Sequence, residues 1–238
     1  MISQINNEER DHKLEAYDYL LDPSLIANKP SEIRHESRLM IVRDSVLEED
    51  CLTNKFTKNL LDELREGDLV VINNTKVMKA RLRVELENGT SVELLVLEKS
   101  HECVWLCLAK PAKKLKINSK LKIKSPLAKN INLIVAEIDG DTGGRFIKFP
   151  ENINDLNSMN NLLDIYGEIP LPPYIKSSEE ESFHENSYQT EYATNPGAVA
   201  APTPGLHLRK SIIFNLKKKR CNNLTDYFAC GLWHFQTN

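Results

Sequence analysis

Apolar and charged residues alternate in the stretch that follows residue 80, and this period of two is typical of a half-buried β-strand. Asn88-Gly89 then indicates a hairpin. A three-residue loop from Asn88 to Thr90 sets Leu86 opposite Val92 and keeps one apolar face, whereas a two-residue loop would mix the two faces. We therefore predict the three-residue loop.

Four further short strands are predicted before residue 150, with no helical pattern between them. Short strands at this spacing favour a small antiparallel β-barrel. Because the barrel interrupts the chain, we interpret residues 80–150 as an inserted domain, and residues 1–79 and 151–238 as the two parts of a main domain. The four strands are expected at Val104–Leu108, Lys120–Lys124, Asn132–Ile138 and Arg145–Phe149.

The flanking regions carry helical and buried-strand patterns. Leucines at helical spacing predict a helix over Lys58–Arg65, closed by Gly67, and a weaker pattern predicts another over Ile153–Tyr166. The run Asp68–Ile72 is typical of a strand that is buried on both faces. It ends in Asn73-Asn74-Thr75, whose small polar side chains suit either a turn or a binding site.

Composition narrows the function classes. The 238 residues are 41% hydrophobic and carry a net charge of −3, so the chain as a whole has no general attraction to nucleic acid. A polar N-terminus and the lack of long apolar runs predict neither a signal peptide nor a membrane span. The five cysteines predict reduced thiols and a cytoplasmic location. For Cys103 and Cys107, burial in the core is favoured over a metal pair, because no second Cys or His pair lies at ligand spacing.

The most basic stretch lies between Cys103 and Ala136, with eight lysines and no acidic residue. One interpretation is the solvated outer face of the barrel, and the other is a surface that contacts RNA phosphates. Aromatic residues do not interleave with the lysines, so stacking on bases is not indicated. The lysines are Lys110, Lys113, Lys114, Lys116, Lys120, Lys122, Lys124 and Lys129.

Two segments rich in proline and glycine are candidates for a binding site. Residues 167–175 suit neither a helix nor a central strand, and we expect a rigid arm that presents Tyr174. Residues 195–207 lead into a helix predicted over Arg209–Lys218, whose first N–H groups suit a carboxylate or a phosphate. The structural alternative is a packed loop in which His207 has an internal hydrogen bond.

A series of motifs between Tyr17 and Lys219 carries the most specific signal in the chain. The motifs are Leu25–Ala27, Arg34 with Ser37–Leu39, Gly67–Val77, Ala80–Leu82, Pro170–Ile175, Tyr188–Thr190, and Gly197–Thr203 with Gly205–His207. In order and spacing they resemble the S-adenosylmethionine:tRNA ribosyltransferase-isomerase family of the queuosine pathway. The resemblance implies an α+β fold, with a mixed α/β main domain and the inserted small antiparallel β-barrel.

The resemblance also implies a reaction. The ribosyl part of S-adenosylmethionine, the co-substrate, is transferred to the 7-aminomethyl-7-deazaguanine base at the tRNA anticodon wobble position. The ribose isomerises to give epoxyqueuosine, while adenine and methionine leave. The implied partner is tRNA that carries this base. No metal and no membrane are expected, and the protein is expected to be a monomer.

Roles for individual residues follow as hypotheses. His207 is the candidate for proton transfer, since imidazole titrates near neutral pH, although the identity of the catalytic base stays open. Arg34 and Arg38 suit the methionine carboxylate or tRNA phosphates, and Tyr174 and Tyr188 suit stacking on a base. Substrate contacts are also expected from the remaining motif positions, namely Asn73, Asn74, Thr75, Arg81, Gln189, Thr190, Ala201, Pro202, Thr203 and Gly205.

The sequence departs from the family pattern near its end. Pro204 and Leu208 replace the usual Ala and Phe, and family members carry further motifs beyond the length of this chain. We therefore expect a C-terminally truncated chain, with residues 220–238 read in a shifted frame. A shift of one nucleotide lets codons for Phe228–Gly231 encode Leu-His-Val-Gly, a motif of the family, at its proper spacing. The expected tail has aromatic residues with no clear period and packs poorly.

Three hypotheses of different classes remain at this point. The chain is an enzyme that another chain completes, an inactive or impaired remnant of the enzyme, or a non-catalytic tRNA-binding protein that uses the lysine-rich barrel. Adenine release and tRNA binding, measured separately, distinguish the three.

Overall fold

The chain folds into two compact units, residues 1–30 and residues 31–238. A computed structural model describes residues 12–27, 29–43, 51–128, 131–172, 175, 186–219 and 222–226. The first unit has two 3₁₀ turns, Leu14–Tyr17 and Pro23–Leu25, and the side chain of Asp22 caps the second turn. All features below belong to the second unit.

The second unit combines short strands with short helices. Its strands are β1 (Arg38–Val42), β2 (Leu52–Phe56), β3 (Leu69–Asn73), β4 (Thr75–Val77), β5 (Arg81–Leu86), β6 (Ser91–His101), β7 (Val104–Lys110), β8 (Lys120–Ile123), β9 (Asn132–Ile138), β10 (Arg145–Lys148), β11 (Asn195–Ala198) and β12 (Asn222–Asp226). The α-helices with described bounds are α1 (Leu60–Glu63), α2 (Leu156–Tyr166) and α3 (Lys210–Lys218).

The strands β5 to β10 form a closed antiparallel barrel in the order β10-β7-β6-β5-β8-β9. Leu82, Val84 and Leu94 point into it and are fully buried, while Arg83 lies outside, as the alternating pattern predicts. The predicted barrel and the α+β fold class are therefore confirmed. The domain boundaries at residues 80 and 150 stay a prediction.

The hairpin between β5 and β6 keeps one apolar face, but its predicted register is wrong. Val84 lies opposite Val92, and the backbone N–H of Leu86 donates to the carbonyl of Thr90 at 2.9 Å. The loop has three residues, Glu87 to Gly89, rather than Asn88 to Thr90. Gly89 has a φ of +81°, and a glycine of this conformation is the last residue of a three-residue hairpin loop.

Both ends of the barrel are closed by apolar side chains. At the end where β10 finishes, Met159, Leu162 and Leu163 of α2 join the core of the barrel. Leu115, from the loop between β7 and β8, is 1% exposed and joins the same core from the opposite end. Asp155 begins α2 by accepting a hydrogen bond from the backbone N–H at the third helical position, so this predicted helix is confirmed.

Three two-stranded sheets complete the second unit: β1 with β2, β4 with β11, and β3 with β12. The prediction that β3 is buried on both faces is wrong, since Leu69 and Val71 are 60% and 53% exposed. In the described part of the chain one face of β3 is covered, because Val70 packs against Ile212 and Leu216 of α3. Successive side chains point to opposite faces, so the other face faces outward.

Strand β12 lies in the segment for which poor packing was expected. Its backbone pairs in parallel with β3, from Asn222 opposite Leu69 to Asp226 opposite Asn73. Parallel pairing uses backbone N–H and C=O groups and needs no particular side-chain period, which explains how an unpatterned segment forms a strand. Residues 227–238 of the expected tail lie outside the described residues.

The two helices beside β3 differ in how well the pattern predicts them. Helix α3 agrees with the prediction, and Arg209 is its N-cap residue. Helix α1 is shorter than predicted, because a 3₁₀ turn precedes it and the chain is extended at Leu64. The side chain of Asp68 then accepts a hydrogen bond from the backbone N–H of Arg65 and closes a turn.

Two predictions made from the composition concern the cysteines and membrane-spanning helices. Cys103 and Cys107 are buried, as predicted, and burial raises the pKa of the Cys107 thiol. No helix among the described residues is both long enough and apolar enough to cross a membrane.

Candidate functional site

Two motifs that are about 120 residues apart meet at a short parallel pair of strands. In this pair Thr75 of β4 lies opposite Asn195 of β11, and Val77 lies opposite Ala198. The backbone N–H of Met78 extends the pairing by donating to the carbonyl of Ala198 at 2.9 Å. The polar end of β3 and the proline- and glycine-rich loop are therefore neighbours, as expected of parts of one site.

The polar residues at the start of β4 form an internal hydrogen-bond network. The side-chain oxygen of Asn73 accepts from the backbone N–H of Thr75 at 2.8 Å and from its hydroxyl at 2.6 Å. The amide nitrogen of Asn74 donates to the hydroxyl of Thr194 at 3.0 Å. The sequence left a turn and a site open, and the structure gives these residues the turn. Substrate contacts from them stay a prediction.

Gln189 ties a second motif to β4. Its side-chain oxygen accepts from the backbone N–H of Val77 at 2.9 Å, and its side-chain nitrogen donates to the carbonyl of Val77 at 2.7 Å. The side-chain amide of Gln189 thus pairs with the backbone of β4 in the way that a residue of a neighbouring strand would. Both hydrogen-bonding groups of this side chain are used within the protein.

Arg34 fixes the same segment from the other side. Its guanidinium donates to the backbone carbonyls of Gln189 and Asn186, each at 2.5 Å, with a longer contact of 3.4 Å to Ser187. Among the described residues, its hydrogen-bond partners are therefore backbone carbonyl groups. A contact to the methionine carboxylate or to tRNA would have to share the guanidinium with these carbonyls.

His207 lies at the end of a 3₁₀ turn, Thr203–His207, and is exposed. Its Nδ1 atom lies 2.9 Å from the hydroxyl oxygen of Ser37, and that hydroxyl lies 2.8 Å from the hydroxyl of Thr57. Thr57 is buried and also donates to the carbonyl of Ser37 at 3.3 Å. Among the described residues, the other ring nitrogen of His207 has no hydrogen-bond partner. The histidine is thus held on one side and open on the other.

Position 205 has room only for glycine, because the side chains of Tyr192 and Thr190 lie close to its backbone. A Cβ atom at this position would lie 2.3 Å from the hydroxyl oxygen of Tyr192 and 3.0 Å from the Cγ2 atom of Thr190. Burial raises the pKa of Tyr192. The hydroxyl of Thr190 is buried and, within the described chain, has no hydrogen-bond partner. The segment 190–192 therefore packs directly on the turn that carries His207.

The helix start that was expected to bind an anion is already occupied by a carboxylate of the protein. Glu191 accepts from the backbone N–H of Lys210 and from the Nε of Arg209, both at 3.0 Å. Burial alone would raise the pKa of Glu191, but these two hydrogen bonds and the charges of Arg209 and Arg34 together lower it. Glu191 therefore fills the role that was predicted for a ligand.

Comparison with known proteins decides the family. The profile of the family described as "Queuosine biosynthesis protein" matches residues 14–237. The chain belongs to the queuosine biosynthesis family. The resemblance drawn from the motifs is confirmed at this level.

Relatives within this queuosine biosynthesis family are close in sequence. The chain is 85% identical over 219 residues to the S-adenosylmethionine:tRNA ribosyltransferase-isomerase of Prochlorococcus marinus (strain MIT 9301), with 92% of this chain and 59% of that protein aligned. It is 41% identical over 212 residues to the protein of that name from Prochlorococcus marinus (strain NATL2A), with 89% of this chain and 58% of that protein aligned. The chain thus spans a little under 60% of the length of these relatives.

Among solved structures, the chain is similar to an S-adenosylmethionine tRNA ribosyltransferase from Thermotoga maritima. The identity is 26%, the TM-score is 0.32, and the alignment covers 88% of this chain and 56% of that one.

The remaining family-motif residues lie at different depths. Tyr188 and Ala201 are buried in a cluster with Val77 and Ile169. The ring of Tyr188 is thus largely covered, and this packing does not favour its predicted stacking on a base. Pro202 is half-buried and Thr203 is exposed at the start of the turn that leads to His207. Tyr174 lies outside the described residues.

Two predicted arginines of the family motifs stand at the starts of strands. Arg38 is exposed at the start of β1 and has no ion pair in the described chain. Arg81, at the start of β5, forms an ion pair with Glu93 at 3.2 Å and donates to the carbonyl of Leu171 at 3.1 Å. The Nε–H of Arg81 is buried and not aligned for a hydrogen bond, so its contact with Glu93 is an ion pair alone.

Sequence reasoning missed three residues that shape the site. Thr57 supports Ser37, Tyr192 packs on Gly205, and Glu191 begins α3. A signal existed for Glu191, because an acidic residue is favourable near a helix start, but its distance of 19 residues from Lys210 hid the connection. Within the described residues, no group of three or more His, Cys, Asp or Glu side chains has the geometry of a metal site.

Proposed function

We propose that this chain takes part in transferring and isomerising the ribosyl group of S-adenosylmethionine onto the 7-aminomethyl-7-deazaguanine base at the tRNA anticodon wobble position. The observation that carries the proposal is the meeting of separate motifs in one region. The pairing of β4 with β11 joins Thr75 to the loop that starts at Asn195, and Ser37 contacts His207. The proposed reaction takes place in the cytoplasm with S-adenosylmethionine as co-substrate and without a metal.

Proton transfer is the first chemical demand of this reaction. The positive sulfur of S-adenosylmethionine acidifies the neighbouring C5′ hydrogens, so that a base can remove one of them. His207 suits this step, because it is exposed and its Nδ1 is oriented by Ser37. An imidazole that is held through one nitrogen can exchange a proton through the other.

Leaving-group departure is the second demand. Adenine leaves more readily when a donor hydrogen-bonds to its ring nitrogens, and the family motifs supply amide and hydroxyl groups around β4 and on the His207 turn. We propose Asn74 and Thr203 for this role, because the polar side chain of Thr203 is exposed and that of Asn74 is only half-buried. The finer assignment of base and donor is part of the proposal.

The test follows adenine release from S-adenosylmethionine in the presence of substrate tRNA. We propose that a chain of these 238 residues by itself has no or very weak turnover, and that joining it to the remaining part of the MIT 9301 relative restores turnover. Turnover of the 238-residue chain at the level of the whole relative would contradict the first part. A folded chimaera without turnover would contradict the assigned reaction.

A second candidate is a non-catalytic tRNA-binding function of the barrel. The described lysines of the basic stretch are all exposed, which favours contact with a large anion. They are Lys110, Lys113, Lys114, Lys116, Lys120, Lys122 and Lys124. Binding of tRNA in a gel-shift assay without adenine release would support this function, and release of adenine would exclude a purely binding role.

A further inference from the structure

The loop between β7 and β8, residues 111–119, crosses the mouth of the barrel. Strands β7 and β8 are not neighbours in the barrel, so the loop has to pass from one side of the mouth to the other. Leu115 in its middle is buried in the barrel core, and the backbone N–H of Asn118 donates to the carbonyl of Val135 at 2.8 Å. The loop is therefore a packed part of the barrel with a defined outer side.

Arg145 holds this loop from beneath. It is 7% exposed, and its guanidinium donates to the carbonyls of Leu115 at 3.0 Å and Ala112 at 2.8 Å. It also donates to Gly143 at 2.6 Å and Gly144 at 2.9 Å, and so ties the loop to the turn before β10. In the described chain no carboxylate pairs with Arg145. Four carbonyls satisfy its hydrogen bonds but leave its positive charge uncompensated.

The lysines on the outer side of this loop are also uncompensated. Lys113, Lys114 and Lys116 are exposed, and no carboxylate among the described residues forms an ion pair with them. The lysines of β8 differ, because Lys120 pairs with Glu87 at 3.8 Å and Lys122 lies directly opposite Glu85. The strand face thus carries neighbouring charges of both signs, whereas the loop presents positive charge.

Acidic residues near the loop form no ion pair with its lysines in the described chain. The side chain of Asp139, in the adjacent turn, accepts hydrogen bonds from the N–H and the hydroxyl of Thr142. Glu87 is engaged with Lys120. Asp141 is the remaining exposed carboxylate of that turn. Asp141 and Glu137 of β9 are thus the exposed carboxylates near the loop, and neither forms an ion pair with the three lysines or Arg145 in the described chain.

We propose that Lys113, Lys114 and Lys116, on the loop held by Arg145, contact RNA phosphates. The inference rests on the proposed function, since it takes tRNA as the partner and names the surface that meets its backbone. Positive side chains without interleaved aromatic residues suit phosphates rather than bases. The loop lies at the barrel end opposite to the chain connections at Ala80 and Phe149.

The experiment compares two triple variants of equal charge change in the whole chain. In the loop variant Lys113, Lys114 and Lys116 become Gln. In the control variant three lysines that lie beside a glutamate become Gln, namely Lys110, Lys120 and Lys122. Binding of a tRNA transcript is measured at several salt concentrations. Each lost phosphate contact lowers the slope of log K against log salt by about 0.7 to 0.9, so the loop variant should lose about 2 units of slope and about tenfold in affinity. The control variant should stay within about threefold of the unchanged chain.

A third variant, Arg145→Met, keeps the three lysines and removes their support. We expect it to weaken tRNA binding while circular dichroism shows the barrel to be folded. If Arg145→Met unfolds the barrel, the comparison of the two triple variants still decides the proposal.

Three results would overturn it. Equal effects of the loop and control variants would show general attraction rather than a loop contact, and an unchanged loop variant would show no contact. Loop-dependent binding to anionic phospholipid vesicles without tRNA binding would assign the loop to a lipid surface. Binding of S-adenosylmethionine and adenine release, measured separately, test the proposed function, so that either idea can fail alone.

Discussion

The Nδ1 atom of His207 lies 2.9 Å from the hydroxyl oxygen of Ser37, which is 170 residues away in sequence. The hydroxyl of Ser37 in turn lies 2.8 Å from that of the buried Thr57. A histidine on a short turn is thereby oriented by a residue at the start of a sheet. Because a hydrogen bond at one ring nitrogen influences which nitrogen carries the proton, we expect Ser37 to favour one of the two neutral forms of His207.

Removal of the Ser37 hydroxyl is expected to leave the imidazole of His207 without its hydrogen bond at Nδ1. In Ser37→Ala the two neutral forms of His207 should become more equal, as measured by ¹⁵N chemical shifts of the ring. In the chimaera with the MIT 9301 relative, loss of a hydrogen bond worth about 1 kcal/mol should lower kcat roughly fivefold with little change in KM. Ser37→Thr keeps a hydroxyl and serves as the control. Ring shifts that do not change in Ser37→Ala would exclude the orienting role.

Removal of the imidazole is expected to affect turnover more than binding. In the same chimaera, His207→Ala should lower the rate of adenine release by about 10²-fold or more, which is typical of a lost proton-transfer group. The affinity for S-adenosylmethionine, measured by calorimetry, should change much less. An unchanged rate would make His207 a structural residue.

A methyl group at position 205 is expected to collide with Tyr192. In Gly205→Ala the new Cβ would lie 2.3 Å from the tyrosine hydroxyl, so we expect a loss of about 1–3 kcal/mol in the free energy of unfolding. Tyr192→Phe removes the colliding oxygen, and the double variant should recover part of this loss. Denaturant unfolding of the four chains measures the coupling, and strictly additive losses would contradict the contact.

Cys107 is expected to make stability fall at high pH. Burial raises the pKa of its thiol above the ordinary value of 9.0, so the unfolded chain releases this proton at a lower pH than the folded chain does. The contribution of Cys107 is therefore fully present below pH 9.0 and is lost as the pH rises above it, by about 1.4 kcal/mol per pH unit. Cys107→Val should show a shallower decline between about pH 9 and 11 in denaturant titrations. Equal slopes in the two chains would contradict the assignment.

The gene is expected to carry a shifted frame near codon 220. Read one nucleotide forward, codons 228–231 should encode Leu-His-Val-Gly in place of Phe228–Gly231. Sequencing of the genomic DNA decides the matter, and a shifted frame that lacks this motif would refute the idea.

The barrel could be predicted because its signal is local. Strand β9 lies at its predicted bounds, and the alternation around Val84 fixes the inward face. The register of the hairpin could not be predicted, since shifts of two residues keep the same face inward and only the conformation of Gly89 decides between them. The alternation of apolar and polar residues thus predicts which face of a strand is buried more reliably than it predicts which residues pair across strands.

The candidate site was predictable as a set of motifs but not as a geometry. Nothing local to Gln189 indicates that its amide pairs with Val77, or that Arg34 donates to the carbonyls beside it. Likewise, the start of α3 has a suitable anion-binding position, and only the folded chain shows that Glu191 takes it. Contacts between distant segments depend on the whole fold, which single-sequence patterns do not encode.

The closure of the barrel by α2 bears on the order of events during synthesis. The six strands are complete once residue 148 has been made, yet Met159, Leu162 and Leu163 still have to enter their core. Until α2 has left the ribosome, one end of the nascent barrel exposes apolar side chains to water and to chaperones. The translated segment that can fold cooperatively therefore ends with Tyr166 rather than with the last strand.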